Sequence, residues 1–383
     1  MVARRSGHSL IEILVVVGIL GLLFGLVLPS IQSGREAARR TECMNNQRQL
    51  TLAMLEFEEL RQRFPGYNNL QATTAAGERR PTGWVFPLMP FLEQQAVYDF
   101  HGPHGPASSR GEPPCFRWPG MTCPSDAWSD RKRAGQEGNE NATSYVVNCG
   151  QVDVATNTQL PADWRANGIF QHLFPTDEEG QPVRSQQVDL GFVQTRDGTA
   201  HTLLLSENVD AGYWTDVSEG DVGFVWEATL VDGKPVPQSI ARINERRGER
   251  WRAALAADGN RLLLPGGLAC VTCLPARPAP QIPPFDSPWF YPPEDDEPAD
   301  DEPPADDEPV VVTSRVDTSF ARPSSYHSGG VVVTYADGHA KFLSETIDYA
   351  TYGQLLSSDG SRASMPGTID PVPAPYQNAL TND

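Results

Sequence analysis

The sequence predicts an α+β fold: one long N-terminal helix laid on an antiparallel β domain with long loops. Three observations carry that expectation. An apolar run over residues 9–31 flows without a break into strongly helix-forming sequence. From Met121 onward, short runs rich in β-branched and aromatic residues alternate with turn residues. Pro (34) and Gly (33) are abundant across 383 residues, which favours loops and short strands over a helical bundle.

The helix comes first. Ser9 to Ile31 would span about 34 Å at ~1.5 Å per residue, enough to cross a ~30 Å hydrocarbon core. Arg4 and Arg5 precede it, so the positive-inside rule keeps that end in the cytoplasm and sends the C-terminal bulk outward. The run is longer than a signal-peptide core and lacks a clean small-x-small cleavage site. It continues into Ala-, Arg-, Glu-, Gln- and Leu-rich sequence with no proline between Pro29 and Pro65. Leu50, Ala53, Met54, Phe57 and Leu60 fall at helical spacing, so residues 32–64 read as an amphipathic continuation. Pro29 is expected to kink the helix, and Pro65-Gly66 to follow its end.

Residues 65–383 read as the second domain. Residues 83–100 suggest a short helix with an aromatic face, and the Gly/Pro/His stretch after them a loop, in which His101 and His104 read as exposed rather than as metal ligands. Residues 331–343 form a clear hairpin: Val331 to Tyr335 goes out, Asp337-Gly338 turns, and His339 to Leu343 returns. Asp197-Gly198-Thr199 is a second expected turn.

Charge is uneven. Residues 294–308 hold ten carboxylates and no base, over half of the formal charge of −19. Residues 276–309 are Pro- and acid-rich, which reads as a solvated insertion; no Asp-x-Asp-x-Asp-Gly loop is there to make a Ca²⁺ cage. No basic stripe interleaved with aromatics points to nucleic acid. The six cysteines suit disulfides in an exported domain, with fifteen full pairings open. Cys270-Val-Thr-Cys273 lacks a second zinc-ligand pair, so a local disulfide or free thiols are preferred.

Glu12 is the anomaly, because a carboxylate inside a bilayer costs about 2.5–3.5 kcal/mol on insertion scales and calls for a partner. The stretch Gly7-His8-Ser9-Leu10-Ile11-Glu12 resembles the type IV prepilin processing signal. That resemblance implies a leader, residues 1–7, cut after Gly7 by a prepilin peptidase. It implies N-methylation of His8, where pilins mostly have Phe or Met. It also implies an assembly contact from Glu12 to the terminal amine of a neighbouring subunit. Residues 8–31 would then be the transmembrane part of the helix, and the layout pilin-like.

Several pieces farther along resemble one family of exported proteins with a prepilin-type N-terminus and a C-terminal H-x9-DG signature, domain of unknown function 1559. The carrying residues are His327 with Asp337-Gly338, Arg322-Pro323-Ser324-Ser325, Cys123-Pro124-Ser125-Asp126, Phe91 to Gln95, Asp197 to Thr199, Ser206-Glu207-Asn208, Arg35 to Arg40, and Asn45-Asn46. Residues 215–315 fit the family least. Because the two elements commonly carry Cys, the resemblance suggests a Cys43–Cys123 bridge tying helix to domain.

No enzyme is expected. There is no GxSxG elbow, P-loop or GxGxxG fingerprint. His327 and Asp337 sit at opposite ends of a strand, some 17–20 Å apart in an extended drawing, which argues against a His–Asp pair. Asp337 reads as turn chemistry and His327 as a residue that fixes the docking of the hairpin. No cofactor and no metal set is evident. The expected function is structural: an inner-membrane, single-pass prepilin- or pseudopilin-like subunit of a type IV pilus or type II secretion pseudopilus. Its partners would be prepilin peptidase and other pilin-like subunits. The alternative is a permanently anchored surface receptor or adhesin. A concave aromatic pocket lined by Trp84, Trp118, Trp164, Trp214 or Trp226 would favour it.

Overall fold

The structure, a computed structural model, describes residues 10–73, 79–101, 118–126, 142–151, 165–174, 187–226, 229–231, 234–236, 241, 243–245, 247–250, 252, 320–360 and 363. The acidic insertion 276–309, Cys115, Cys270, Cys273, His104 and Trp164 lie outside the described residues.

Helix α1 (Leu10–Arg61) is a single element of 52 residues with Pro29 inside it. Proline removes the N–H that would reach the carbonyl four residues back, yet the helix continues on both sides. It stops before the expected prolyl boundary. Gln62 takes a left-handed φ of 55° and its N–H caps the Glu58 carbonyl at 2.6 Å.

The second half of α1 docks on the domain. Cys43, Gln47, Leu50, Thr51, Met54, Phe57 and Glu58 are buried at three- and four-residue intervals on one face. Leu60 departs from the expected stripe and stays 66% exposed. It sits off that face, in the last turn before the cap.

The domain centres on a five-stranded sheet of order β5-β3-β4-β8-β9. Its strands are β3 (Tyr145–Gln151), β4 (Leu203–Glu207), β5 (Gly223–Trp226), β8 (Gly330–Tyr335) and β9 (Ala340–Ser344). Three pairings are antiparallel, but β3 and β5 run parallel, so the sheet is mixed. Two small antiparallel hairpins flank it: β1 (Asn68–Thr73) with β2 (Arg79–Gly83), and β6 (Thr229–Val231) with β7 (Lys234–Val236).

Both faces of the sheet are covered, which explains why β4 and β8 are buried at every position. Val332 and Leu204 face the core shared with α1, while Val331, Val333 and Leu203 face a second core with Trp226 and the helix Tyr349–Leu356. The sheet register therefore decides what α1 meets. Gln47 Nε2 donates to the Val332 carbonyl at 2.9 Å, and Thr51 Oγ1 to Thr334 Oγ1 at 2.9 Å. The Arg40 guanidinium lies over the Phe342 ring, 3.9 Å from its centroid.

Residues 83–100 are not one helix. A 3-10 turn spans Phe86–Leu92, Glu93 flips to a φ of 60°, and α2 (Gln95–His101) follows. Pro87 and Pro90 remove two backbone donors, so an α ladder cannot run through.

The β8–β9 hairpin turns at Asp337-Gly338. Gly338 has φ 89°, a conformation that a Cβ would strain. Asp337 Oδ1 accepts from the His339 N–H at 3.0 Å and closes the turn. The tip rests on the Asp197–Thr199 turn, where the Asp337 N–H donates to the Thr199 carbonyl at 3.1 Å.

Candidate functional site

Four segments meet where α1 first touches the domain. Helix α1 contributes Glu36 and, two turns on, Cys43. The segment 118–126 contributes Cys123, β4 ends in Glu207, and the stretch entering β8 contributes His327. Cys43, Cys123, Glu207 and His327 are all buried, and one donor atom from each lies within 4.8 Å of the others.

Each side chain is aimed by its element. Glu207 is the last residue of a strand of otherwise uncharged buried residues, Leu203 to Ser206, so its carboxylate enters the interior rather than solvent. One oxygen, Oε2, accepts from the Val332 N–H at 2.8 Å; the other, Oε1, accepts from the Cys43 thiol at 2.7 Å. His327 is held from its backbone, whose N–H donates to Ser325 Oγ at 3.1 Å. Its ring is gripped on both sides. Nδ1 is 2.5 Å from Glu36 Oε1, and Nε2 is 3.4 Å from both Cys123 Sγ and Glu207 Oε1. Ser125 Oγ donates to Glu36 Oε2 at 3.1 Å, and Tyr145 Oη to Cys43 Sγ at 3.4 Å.

The electrostatics follow from burial and pairing. Burial opposes charge on His327, but its hydrogen bonds with Cys123 and Glu207 prevail and raise its pKa to about 11. Burial likewise pushes Glu207 up, and the His327 imidazolium outweighs it, leaving Glu207 below the usual carboxylate range. Burial raises Cys43 well above an ordinary thiol, with Cys123 and Glu207 adding to it. Tyr145 is raised by the same burial. The protein groups by themselves thus form a buried imidazolium–carboxylate pair flanked by thiols. The space beside them, bordered by Asp126, Ser144 and Tyr326, has no room for a water molecule.

The residues singled out in the sequence are distributed as follows. Gly7 and His8 lie outside the described residues, and of Glu12 only the backbone, in the first turn of α1, is described. His327 and Asp337 belong to separate networks, one at the foot of β8 and one at the hairpin tip. Cys43 and Cys123 are brought together as two free thiols, not a bridge. Glu36 lay within the Arg35 to Arg40 stretch of the resemblance but without a role, and Tyr145 carried no sequence signal of its own. Glu207 did: a carboxylate closing an apolar strand needs a partner. Trp84, Trp214 and Trp226 are core side chains, and Trp118 is half-buried. Trp226 borders only a cavity of about 20 Å³.

Residues 32–350 match the family described as protein of unknown function (DUF1559), and the chain belongs to that family. No curated protein and no solved structure matches it.

Proposed function

We propose that this DUF1559 chain is a membrane-anchored, exported structural subunit of prepilin type, processed after Gly7. One observation carries the reading. Between Leu10 and Ile31, sixteen large apolar side chains of α1 are exposed, while the same helix from Cys43 on is seated in the domain. That much contiguous apolar surface needs lipid or neighbouring helices around it. The family and, among the described residues, one helix of membrane-spanning length are compatible with an anchored, exported protein. The finer reading rests on the leader: a glycine cut site, an N-methylated His8 and Glu12 as a contact to a neighbour's amine, in an inner-membrane protein whose N-terminus is cytoplasmic. Type IV pilus or type II pseudopilus assembly would bring such apolar helices together in a filament core, with the domain outward. Its role would be structural rather than enzymatic.

The test is the mass of the mature N-terminus with and without prepilin peptidase, beside a Glu12→Ala strain. An N-methylated His8 and a variant that is cleaved but not assembled support the subunit. A retained Met1 with an indifferent Glu12→Ala leaves a permanent anchor, and the receptor or adhesin reading takes its place.

A further inference from the structure

We propose that Cys43, Cys123, Glu207 and His327 bind one Zn²⁺ ion, which fastens the membrane helix to the β domain. The inference stands on the docked half of the chain and does not depend on processing or assembly.

The donor set is the first argument. Two thiols, an imidazole and a carboxylate, four in all, make the set that tetrahedral zinc takes; Ca²⁺ and Mg²⁺ would ask for six or more oxygens or for waters. Spacing is the second. Zinc–sulfur bonds of ~2.3 Å and zinc–nitrogen or –oxygen bonds of ~2.0–2.1 Å place donors about 3.3–3.8 Å apart in a tetrahedron. His327 Nε2 is 3.4 Å from Cys123 Sγ and 3.4 Å from Glu207 Oε1. The Cys43–Glu207 edge, now 2.7 Å, must open by about 1 Å to match.

The surroundings are the third argument. A zinc-ligating histidine commonly donates its other ring N–H to a carboxylate, which fixes the tautomer. Here Nε2 faces the donor cluster and Nδ1 is held by Glu36. Glu207 has one oxygen tied to the Val332 N–H and the other turned toward the thiols. The Tyr145 hydroxyl points its proton at Cys43 Sγ, as a thiolate ligand requires. With the carboxylate as fourth ligand and no room for water beside it, the site is closed, which is the structural rather than the hydrolytic form of zinc coordination.

The experiment uses the full chain in detergent, with a tag free of histidine, purified without chelator and then exposed to excess Zn²⁺ and desalted. Elemental mass spectrometry is expected to find one zinc per chain. Cys43 and Cys123 should resist alkylation until a chelator is added, and Co²⁺ in place of zinc should give the thiolate charge-transfer and intense visible bands of a tetrahedral centre. Cys43→Ser, Cys123→Ser and His327→Gln should each lose the metal, while Cys149→Ser, a buried cysteine outside the set, should keep it. Glu36→Gln should keep the stoichiometry and weaken affinity ~10–100-fold. Substoichiometric metal in the wild-type chain overturns the proposal, and so does a Cys43–Cys123 disulfide in the non-reducing peptide map. Full zinc retained by both cysteine variants also overturns it, because the metal then sits elsewhere.

Discussion

The two halves of α1 share one backbone and face different solvents. From Leu10 to Ile31 nearly every residue is apolar and exposed. From Glu36 to Arg61 most residues are polar, and the apolar ones on one face, Cys43, Leu50, Ala53, Met54 and Phe57, are buried while Leu52 and Leu60 off it stay exposed. Hydrophobicity alone does not say where a side chain goes; its arrangement does. An all-round apolar helix asks for lipid or other helices, whereas a one-sided stripe asks for a protein surface. The polar residues on the docked stripe, Gln47 and Thr51, are matched to specific atoms of β8. The apolar half would need no such match in lipid, which makes no directional demands.

The comparison breaks most severely in the docked half. Leu50→Ala removes a fully buried side chain and should cost the domain about 2–5 kcal/mol, read as a lowered unfolding midpoint, with membrane retention unchanged. Leu20→Arg should do the reverse. It adds roughly 2.5–3.5 kcal/mol to insertion and should shift the chain out of the membrane fraction, leaving the domain melt as it was.

Acid should also separate the halves. Burial holds His172 neutral, with its pKa lowered to about 4. The Phe174 N–H donates to its Nδ1 at 3.1 Å, and its Nε2 lies 2.9 Å from Asn68 Nδ2. The unfolded chain takes up this proton near pH 6.5 and the folded chain only near 4. Stability is therefore whole above about pH 6.5 and falls, by an amount on the order of 3 kcal/mol, as pH drops to 4. His172→Gln should flatten that limb of the unfolding curve while membrane partition stays constant. Gln47→Ala should cost about 1–2 kcal/mol, because it strands the bond to the Val332 carbonyl. Leu60→Ala should change stability by less than ~0.5 kcal/mol, being on the helix yet off its docked face.

What the sequence shows is local. The apolar run, the stripe from Leu50 to Phe57 and the Asp337-Gly338 turn are each written within a few neighbouring residues, and periodicity or turn chemistry reads them directly. The 3-10 turn at Phe86–Leu92 was also local, but the aromatic pattern masked the effect of Pro87 and Pro90. The parallel partner of β3 and the cluster at His327 are another matter. Cys43 meets Glu207 across 164 residues, and Cys123 meets His327 across 204. No spacing rule spans such distances; only the order of strands in the sheet brings them together. The chemistry at risk of being missed was thus the least local of all.

Those separations also fix an order in time. The ribosome releases Cys43 long before Glu207, and Glu36 precedes its partner His327 by 291 residues. The clasp between helix and sheet is therefore among the last things the nascent chain can close. A chain interrupted anywhere before His327 keeps its apolar segment but lacks a residue that closes the clasp. Whether synthesis has passed His327 is thereby written on the helix that emerged first.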